Sequence, residues 1–386
     1  MNISTSKLFS VNSLSEALNH TLRAIVSTVN THALLTETTT SNNQALPYMN
    51  AKVVQVRLET HDTKTYFFNA ESQLKKYKAG AHINIEFIAN GETIKRTYTL
   101  SSSPSPAPKD KPENEFSITV KRVNDGLASN WLFENLNEGD TIKASQAQGN
   151  FVLPYQPAGK ILMLSAGSGI TPLMSMLRYL AQAGNQSNIK FLNYAQSPTD
   201  IIFHNELEEL SEKNENIDTK FSVERGIEPS SDKTHNIHTG RITKRQITKL
   251  VPDILEREIY LCGPQAFMKA TVEILDKLKF NPSQLHLENF TADLSAATQL
   301  GYSAKLSFAS LDKSIQSSPS KTILEEAESV GLKPAAACRT GICRTCRCKK
   351  TSGTTVNLIT GEESTDSGDY ILPCVSVAKT TTRVEL

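Results

Sequence analysis

Residues 161–172 read ILMLSAGSGITP, an apolar run that passes through a glycine loop into a helical stretch near 172–180. The same alternation recurs downstream: the apolar run 189–194 precedes the helical stretch 200–210, and the run 259–261 precedes another helical pattern. Short apolar strands that alternate with helices are typical of a parallel sheet covered by crossover helices. The middle of the chain is therefore predicted to be an α/β parallel-sheet domain of the nucleotide-binding type.

The glycine loop of this domain is of the kind that cradles phosphate at a helix N-terminus. We expect Thr171 to cap the helix and Pro172 to lie in its first turn. With Pro172 in the last place the loop is not G-x-G-x-x-G, and alone it is little more than a glycine turn. The tripeptide at 262–264 ends a later strand at the same carboxyl edge of the sheet, where such sheets bind ligands. The predicted coenzyme contacts are Gly167, Gly169, Thr171, Cys262, Gly263 and Pro264.

Before this domain, side chains alternate between apolar and polar with a period of two, as in residues 54–58 and 83–87. Asn90-Gly91 is placed as a tight hairpin turn. We predict an antiparallel β-barrel for this region. Arg96, Tyr98 and Thr99 offer a cation for a pyrophosphate, an aromatic face for a flavin ring and a hydroxyl near flavin N5, although the same residues are ordinary in an exposed strand.

A helix is predicted to begin near Leu127, after the strand 116–122. Its first backbone amides could receive phosphate, or the segment is a plain turn and helix cap. The candidate phosphate contacts here are Gly126, Ala128 and Ser129.

Cysteines crowd into the last fifth of the chain, which favours metal ligation over disulfides. Four of them follow C-x₄-C-x₂-C with a distant fourth member: Cys338, Cys343, Cys346 and Cys374. This is the ligand spacing of a plant-type [2Fe–2S] cluster. The rival is a Cys₄ zinc site, which usually pairs its cysteines in two CxxC-like knuckles. We interpret Cys348 as a non-ligand thiol. The surrounding cations either orient an acidic redox partner or are only solvated: Arg339, Arg344, Arg347, Lys349 and Lys350.

Charge and hydropathy exclude several classes of function. The formal net charge is +1, so the chain lacks the basic face of a nucleic-acid-binding protein. No apolar stretch is long enough to span a bilayer, and the N-terminus lacks a basic cluster followed by an apolar run. We therefore expect a monomeric protein of the reducing cytoplasm.

The motifs resemble, in order, those of the ferredoxin–NADP⁺ reductase superfamily, in its oxygenase-reductase branch with a C-terminal plant-type ferredoxin domain. The resemblance covers about residues 51–386. The motifs that carry it are RTYT at Arg96, VKR at Val120, GLAS at Gly126, GSGITP at Gly167, YLCGP at Tyr260 and the four cysteines. The resemblance implies FAD rather than FMN, cofactor contacts at Val120 and Lys121, and a position near the flavin for Glu288 and Phe290. The chain departs from the family pattern at two positions. Gln196 stands where many relatives have Arg, so the choice between NADH and NADPH stays open. Arg344 stands in the cluster loop where many relatives have Gly.

Five segments follow from pattern and resemblance together. They are an N-terminal helical and flexible segment at 1–46, an FAD-binding β-barrel at 47–155, an NAD(P)-binding α/β domain at 156–290, a linker at 291–301 and a β-grasp [2Fe–2S] ferredoxin-type domain at 302–386.

The resemblance implies that NAD(P)H reduces the flavin and that the cluster passes single electrons to a redox protein, soluble or membrane-bound. As the catalytic residues we expect Thr99, which would hydrogen-bond flavin N5 where hydride arrives, and Cys262, which would contact the nicotinamide ring. The predicted acceptor is a fatty-acyl desaturase or other di-iron oxygenase. Alternatively, the chain is the reductase of a hybrid-cluster protein or of an aromatic-ring oxygenase. Two rivals are reduction of free flavin or quinone, and a zinc-binding adaptor without redox activity.

Overall fold

The structure is a computed structural model of the 386-residue chain. It describes residues 48–72, 74–105, 114–124, 126–226, 236–290, 297–298, 300–311, 314–337, 339, 341, 344–359 and 361–386. The predicted lead segment at 1–46, most of the linker and the predicted ligands Cys338 and Cys343 lie outside the described residues.

The first unit is an antiparallel barrel. Its described elements are β1 (Met49–Thr60), β2 (Thr63–Ala70), β3 (His82–Ala89), β4 (Glu92–Thr99), β5 (Glu115–Lys121), α1 (Leu127–Asn135) and β6 (Thr141–Ala144). The strand order is β4-β3-β6-β1-β2-β5, with every pairing antiparallel. A bridge between Leu100 and Ile118 joins the end of β4 to β5 and closes the sheet. This confirms the predicted barrel.

The hairpin between β3 and β4 shows how sequence sets register. Asn90 and Gly91 both have positive φ, at 52° and 80°, as a two-residue type I′ turn requires. Ala89 therefore pairs directly with Glu92, and the register continues to His82 and Thr99. The predicted turn is confirmed, and it fixes which side chains of β4 share a face.

The second unit is a parallel sheet with helices on both faces. Its described elements are β7 (Lys160–Ala166), α2 (Ile170–Gln182), β8 (Asn188–Ala195), α3 (His204–Lys213), β9 (Ile217–Val223), β10 (Ile237–Thr239), α4 (Lys244–Leu250), β11 (Glu258–Cys262), α5 (Gln265–Lys277) and β12 (Leu285–Glu288). The order is β10-β9-β8-β7-β11-β12, all parallel. Strands β7 and β11 are neighbours, so the two glycine motifs that follow them share one edge, as predicted.

The predicted cap of α2 is wrong. A 3₁₀ turn over Gly167–Gly169 runs directly into the helix, so Gly169 takes the N-cap position without a side-chain cap. Thr171 lies inside the first turn, and its hydroxyl donates back to the Ser168 carbonyl at 3.0 Å. The amides at the start of α2 thus have no side-chain oxygen as a partner in the described residues.

The third unit is a small mixed sheet with one described helix, α6 (Ile323–Ser329). Its described strands are β13 (Lys305–Phe308), β14 (Ser314–Gln316), β15 (Cys348–Ser352), β16 (Thr355–Asn357), β17 (Glu363–Ser364), β18 (Tyr370–Ile371), β19 (Ser376–Ala378) and β20 (Thr382–Val384). One sheet has the order β14-β13-β20-β15-β18, with β13 and β20 parallel, and the other has the order β17-β16-β19. A reciprocal capping box between Thr322 and Glu325 starts α6.

The three units are in contact with one another. The Ser175 hydroxyl of α2 accepts from the Gly80 amide at 3.3 Å and donates to the Ser102 carbonyl at 2.7 Å. Lys333 of the third unit pairs with Glu92 of β4 at 3.2 Å. The exact unit boundaries remain predictions. Within the described residues, no helix combines the length and the apolar character that crossing a membrane requires.

Candidate functional site

Two of the predicted cluster ligands meet in the third unit. The sulfur atoms of Cys346 and Cys374 are 3.2 Å apart, and neither residue is in a disulfide. Both are buried in an apolar pocket with Leu324 and Val375. Two thiols that converge on one point are the donor pair that a single iron takes in a Cys₄ cluster, so the described residues fit a [2Fe–2S] group.

The backbone around these cysteines is tightly curled. Gly341 has a φ of 79°, and a Cβ atom there would lie 3.0 Å from a Val375 methyl group. Arg339 and Arg344 also have positive φ, at 61° and 56°. Cys348 packs instead in the main core of the unit, and burial raises the pKa of its thiol to about 12.

The candidate flavin groove lies along β4. Arg96 and Tyr98, two residues apart, share one face of the strand and are each half-buried. Arg96 donates to the Lys95 carbonyl at 2.8 Å and has no carboxylate within 4.0 Å among the described residues. Thr99 ends the strand, is buried, and has no hydrogen-bond partner for its hydroxyl in the described protein. The Arg96 guanidinium, the Tyr98 ring and the Thr99 hydroxyl are thus available to a ligand.

The start of α1 offers backbone amides close to β5. Gly126 takes the N-cap position without a side-chain cap, and a Cβ atom there would lie 2.6 Å from the Ser129 hydroxyl. That hydroxyl accepts from the Val123 amide at 3.2 Å, so it braces the turn. Ala128 and Ser129 are both buried.

Two motif residues of β5 have protein partners of their own. The Val120 side chain belongs to the barrel core, so only its backbone is available to a ligand. Lys121 donates to both carboxylate oxygens of Asp62 at 2.6 Å, and the pKa of that carboxyl is lowered by hydrogen bonds from Lys121 and Thr60 despite its partial burial. Sequence reasoning did not find Asp62.

The two glycine motifs of the parallel sheet touch. A Cβ atom on Gly169 would lie 2.3 Å from the Cys262 carbonyl oxygen and 2.5 Å from the Gly263 nitrogen. Gly167 has a φ of 53°. Pro264 is exposed and starts α5. Because residue 169 is glycine, the loop after β7 can lie against the end of β11. The loops after these two strands together form a narrow cradle at the carboxyl edge of the sheet.

A buried thiol and a buried carboxyl lie side by side at this edge. Cys262 pairs in register with Glu288 of β12, and neither residue is more than 5% exposed. The Glu288 Oε2 atom has no hydrogen-bond partner in the described residues. Burial raises the pKa of Glu288 to about 8 and, together with the Glu288 charge, raises that of the Cys262 thiol. Phe290 is half-buried two residues further on.

Gln196, which stands where many relatives have Arg, lies beside a second polar side chain. Gln196 and Arg225 follow the neighbouring strands β8 and β9, and Arg225 donates to the Gln196 side chain at 3.2 Å. Arg241 is paired with Glu224 instead.

Sequence reasoning missed the charged group where the third unit meets the barrel. Arg339 forms a two-pronged ion pair with Glu328 of α6. The pKa of Arg96 is lowered by burial and then by the Arg339 charge, whereas the charges of Tyr98 and Glu328 raise it. No local pattern signals this arrangement, because its members come from distant parts of the chain.

A cleft of about 540 Å³ lies elsewhere between the barrel and helices α2 and α3. Arg57, Phe67, Arg178 and Glu206 are among its lining residues, and none of the predicted flavin or coenzyme contacts is. Because the predicted chemistry lies on β4 and at the carboxyl edge of the parallel sheet, we do not assign the cofactors to this cleft.

Three family models match the chain in the order of its units. They are the oxidoreductase FAD-binding domain over residues 50–153, the oxidoreductase NAD-binding domain over 163–273 and the 2Fe-2S iron-sulfur cluster binding domain over 309–379. The chain is also 36% identical over 356 residues to the glycine betaine monooxygenase reductase subunit of Chromohalobacter salexigens, covering 87% of this chain and 95% of that protein. The chain belongs to the ferredoxin reductase family with a 2Fe–2S domain. It is an NAD(P)H-dependent flavin and iron–sulfur oxidoreductase.

Other members of the family agree with this assignment. The stachydrine N-demethylase reductase subunit Stc4 of Rhizobium meliloti is 33% identical, with 82% of this chain and 91% of that protein covered. The solved structure of phthalate dioxygenase reductase matches with a TM-score of 0.60 and 21% identity over 88% of this chain and 98% of that one, which supports the fold.

Proposed function

We propose that this reductase takes electron pairs from NAD(P)H and delivers them singly to a separate oxygenase protein. The observation that carries the proposal is the order of the FAD, NAD and 2Fe–2S units in one chain that spans 95% of an oxygenase reductase subunit. The contact between Lys333 and Glu92 supports a short internal route, because it lays the cluster-bearing unit against the flavin strand.

The barrel residues bind and orient the flavin in this proposal. Arg96 and the amides at the start of α1, at Gly126, Ala128 and Ser129, hold the phosphates, and Tyr98 packs along the ring. Thr99 offers its free hydroxyl to flavin N5, and the backbone of Val120 and Lys121 lines the groove. When bound, FAD supplies the exchange between two-electron and one-electron chemistry.

The carboxyl edge of the parallel sheet receives the coenzyme. Gly167, Gly169 and Thr171 hold its phosphates at the start of α2, while Gly263 and Pro264 shape the facing turn. Cys262 and Glu288 lie where the nicotinamide and flavin rings would meet, with Phe290 beside them. Because Glu288 keeps its proton up to a pH of about 8, its carboxyl can donate a hydrogen bond at neutral pH. Cys346 and Cys374, with Cys338 and Cys343, hold the cluster.

The nature of the relatives favours one class of acceptor. The two relatives named above are reductase subunits of a glycine betaine monooxygenase and of a stachydrine N-demethylase. Both substrates are small N-methylated zwitterions. We therefore propose an oxygenase that removes an N-methyl group as formaldehyde, using one O₂, two electrons and two protons. These names favour an oxygenase over the fatty-acyl desaturase predicted from the sequence.

A reconstitution experiment tests the acceptor. The purified reductase is mixed with the oxygenase subunit of the Chromohalobacter enzyme, glycine betaine and coenzyme, and formaldehyde is measured against coenzyme consumed. We expect close to one formaldehyde per coenzyme. Coenzyme oxidation with cytochrome c as acceptor, but no formaldehyde with this oxygenase, would reject the N-demethylating oxygenase as the acceptor while leaving the reductase intact.

A further inference from the structure

Charged side chains of the third unit lie beside the flavin strand of the barrel. Arg339 gives one N–H from each terminal nitrogen to the Glu328 carboxylate, with the longer contact at 2.8 Å. The ion pair of Lys333 with Glu92 holds the segment before Arg339 against β4. Arg96 lies further along that strand. The charges of Arg339 and Glu328 both act on Arg96, so the arginine that follows a predicted cluster ligand is an electrostatic neighbour of the arginine of the flavin groove.

Charge at this junction is unbalanced in the described residues. Glu328 is ion-paired with Arg339, whereas Arg96 has no carboxylate within 4.0 Å in the described residues and Glu328 acts on it only through its charge. The Arg339 charge lowers the pKa of Arg96, which means that the two cations repel each other. Partly buried like charges are unfavourable unless an anion lies between them. The junction therefore favours binding of an anion.

Unused hydrogen-bond donors point to the same conclusion. A guanidinium group has five N–H donors, and Glu328 takes two from Arg339. The Arg339 Nε atom is buried and has no partner in the described residues. Arg96 uses one donor on the Lys95 carbonyl. Planar forks of N–H donors match the oxygens of phosphate groups.

We propose that Arg339 of the ferredoxin unit binds the phosphate groups of FAD together with Arg96 of the barrel. The inference rests on the proposed position of the FAD phosphates at Arg96. Arg339 is here a binding residue supplied by another unit, so FAD fastens the ferredoxin unit to the barrel. The cofactor then positions the unit that receives its electrons.

Flavin affinity of the full-length deflavo protein tests the proposal. Arg339→Asn removes the charge, and asparagine tolerates the positive φ of this position. We expect FAD to bind roughly five- to thirtyfold more weakly, as for the loss of a charged hydrogen bond. Riboflavin, which lacks phosphate, should bind Arg339→Asn and the unsubstituted protein equally. Arg344→Asn is the matched control, since Arg344 is exposed in the same loop and also has positive φ.

Two controls separate the possible failures. Arg96→Gln tests the proposed phosphate position: if it also leaves FAD affinity unchanged, that position is wrong, whereas an effect of Arg96→Gln alone overturns only the role of Arg339. Iron and sulfide analysis shows whether each variant keeps its cluster.

A measurement on the unsubstituted protein applies even if Arg339→Asn loses its cluster. Phenylglyoxal modifies accessible guanidinium groups, and peptide mass spectrometry reports each arginine separately. We expect FAD, but not riboflavin, to protect Arg339, with Arg344 labelled equally in all states. Equal labelling of Arg339 with and without FAD would overturn the proposal.

Discussion

Cys374 approaches Cys346 from a 3₁₀ turn just before β19, whereas Cys348, two residues after Cys346, packs in a different core. The distance between the two sulfur atoms matters more than the spacing in the sequence, because iron needs thiolates that converge. The chemistry of the third unit therefore depends on individual side chains.

Replacing Cys374 with serine should remove the cluster. A hydroxyl is a poor ligand for iron in a cluster site, so iron and sulfide content should fall from about two of each per chain toward zero. Reduction of the flavin by coenzyme should persist, while reduction of cytochrome c falls at least about tenfold. Cys348→Ala is the control and should keep its iron. Full iron content in Cys374→Ser would remove this residue from the ligand set.

Glu288 should make stability depend on pH. In the unfolded chain this carboxyl ionises near its ordinary pKa of 4.5, whereas in the fold it keeps its proton up to about 8. The folded state therefore binds more protons between these values, and stability falls as pH rises through that window, by an amount on the order of a few kcal/mol. The Glu288→Gln variant is neutral at this position at every pH. Its melting temperature should therefore fall less between pH 5.5 and 8 than that of the unsubstituted protein. Parallel pH profiles for the two proteins would refute the raised pKa.

At the scale of elements, the loops after β7 and β11 act as one cradle. Gly169→Ala would push a methyl group onto the Cys262 carbonyl, and backbone on both sides leaves little room to relax. We expect a higher KM for coenzyme and a loss of stability of about 1–3 kcal/mol. Gly159→Ala, beside β7 with open space around its Cβ position, is the matched control. Equal KM values for the two variants would show that the cradle does not bind the coenzyme.

Much of this element structure follows from local sequence. The Asn90-Gly91 turn demands positive φ twice and so fixes the β3–β4 register, and a strand followed by glycines puts both cradle motifs at one edge. The cap of α2 did not follow, because the 3₁₀ turn before it shifts the helix start by two residues. The grouping of Arg339, Glu328 and Arg96 could not be predicted either, since it depends on how separately folded units pack.

At the scale of the molecule, Arg178 holds the barrel to the nucleotide-binding unit. It lies on α2, donates to the Ser101 carbonyl of the barrel and forms a two-pronged pair with Glu206 of α3. The side chain also lies 4.7 Å from the Phe203 ring centre and is only 13% exposed. Arg178 thus helps Ser175 to fix the relative position of the barrel and the nucleotide-binding unit.

Arg178→Met should loosen this interface. It removes the two-pronged partner of Glu206, which keeps a longer contact with Arg57, and it takes the Arg178 donor away from the Ser101 carbonyl, at a cost of about 2–4 kcal/mol. We expect a lower melting temperature and slower reduction of the flavin by coenzyme in stopped-flow experiments, with flavin content unchanged. Lys213→Met, which removes an exposed pair with Glu209, should cost less than about 1 kcal/mol and leave that rate alone. Equal rates in both variants would argue against a positioning role.

We expect the chain to convert paired electrons into single ones through a flavin and an iron–sulfur cluster. An anaerobic titration of the purified protein with NADH or NADPH tests this conversion most directly and is followed by visible and electron paramagnetic resonance spectra and by flavin, iron, sulfide and zinc analysis. We predict about one FAD, two irons and two sulfides per chain, with a reduced-cluster signal that grows as coenzyme bleaches the flavin. Flavin that is bleached while the chain carries zinc and no sulfide would show that the third unit does not transfer electrons.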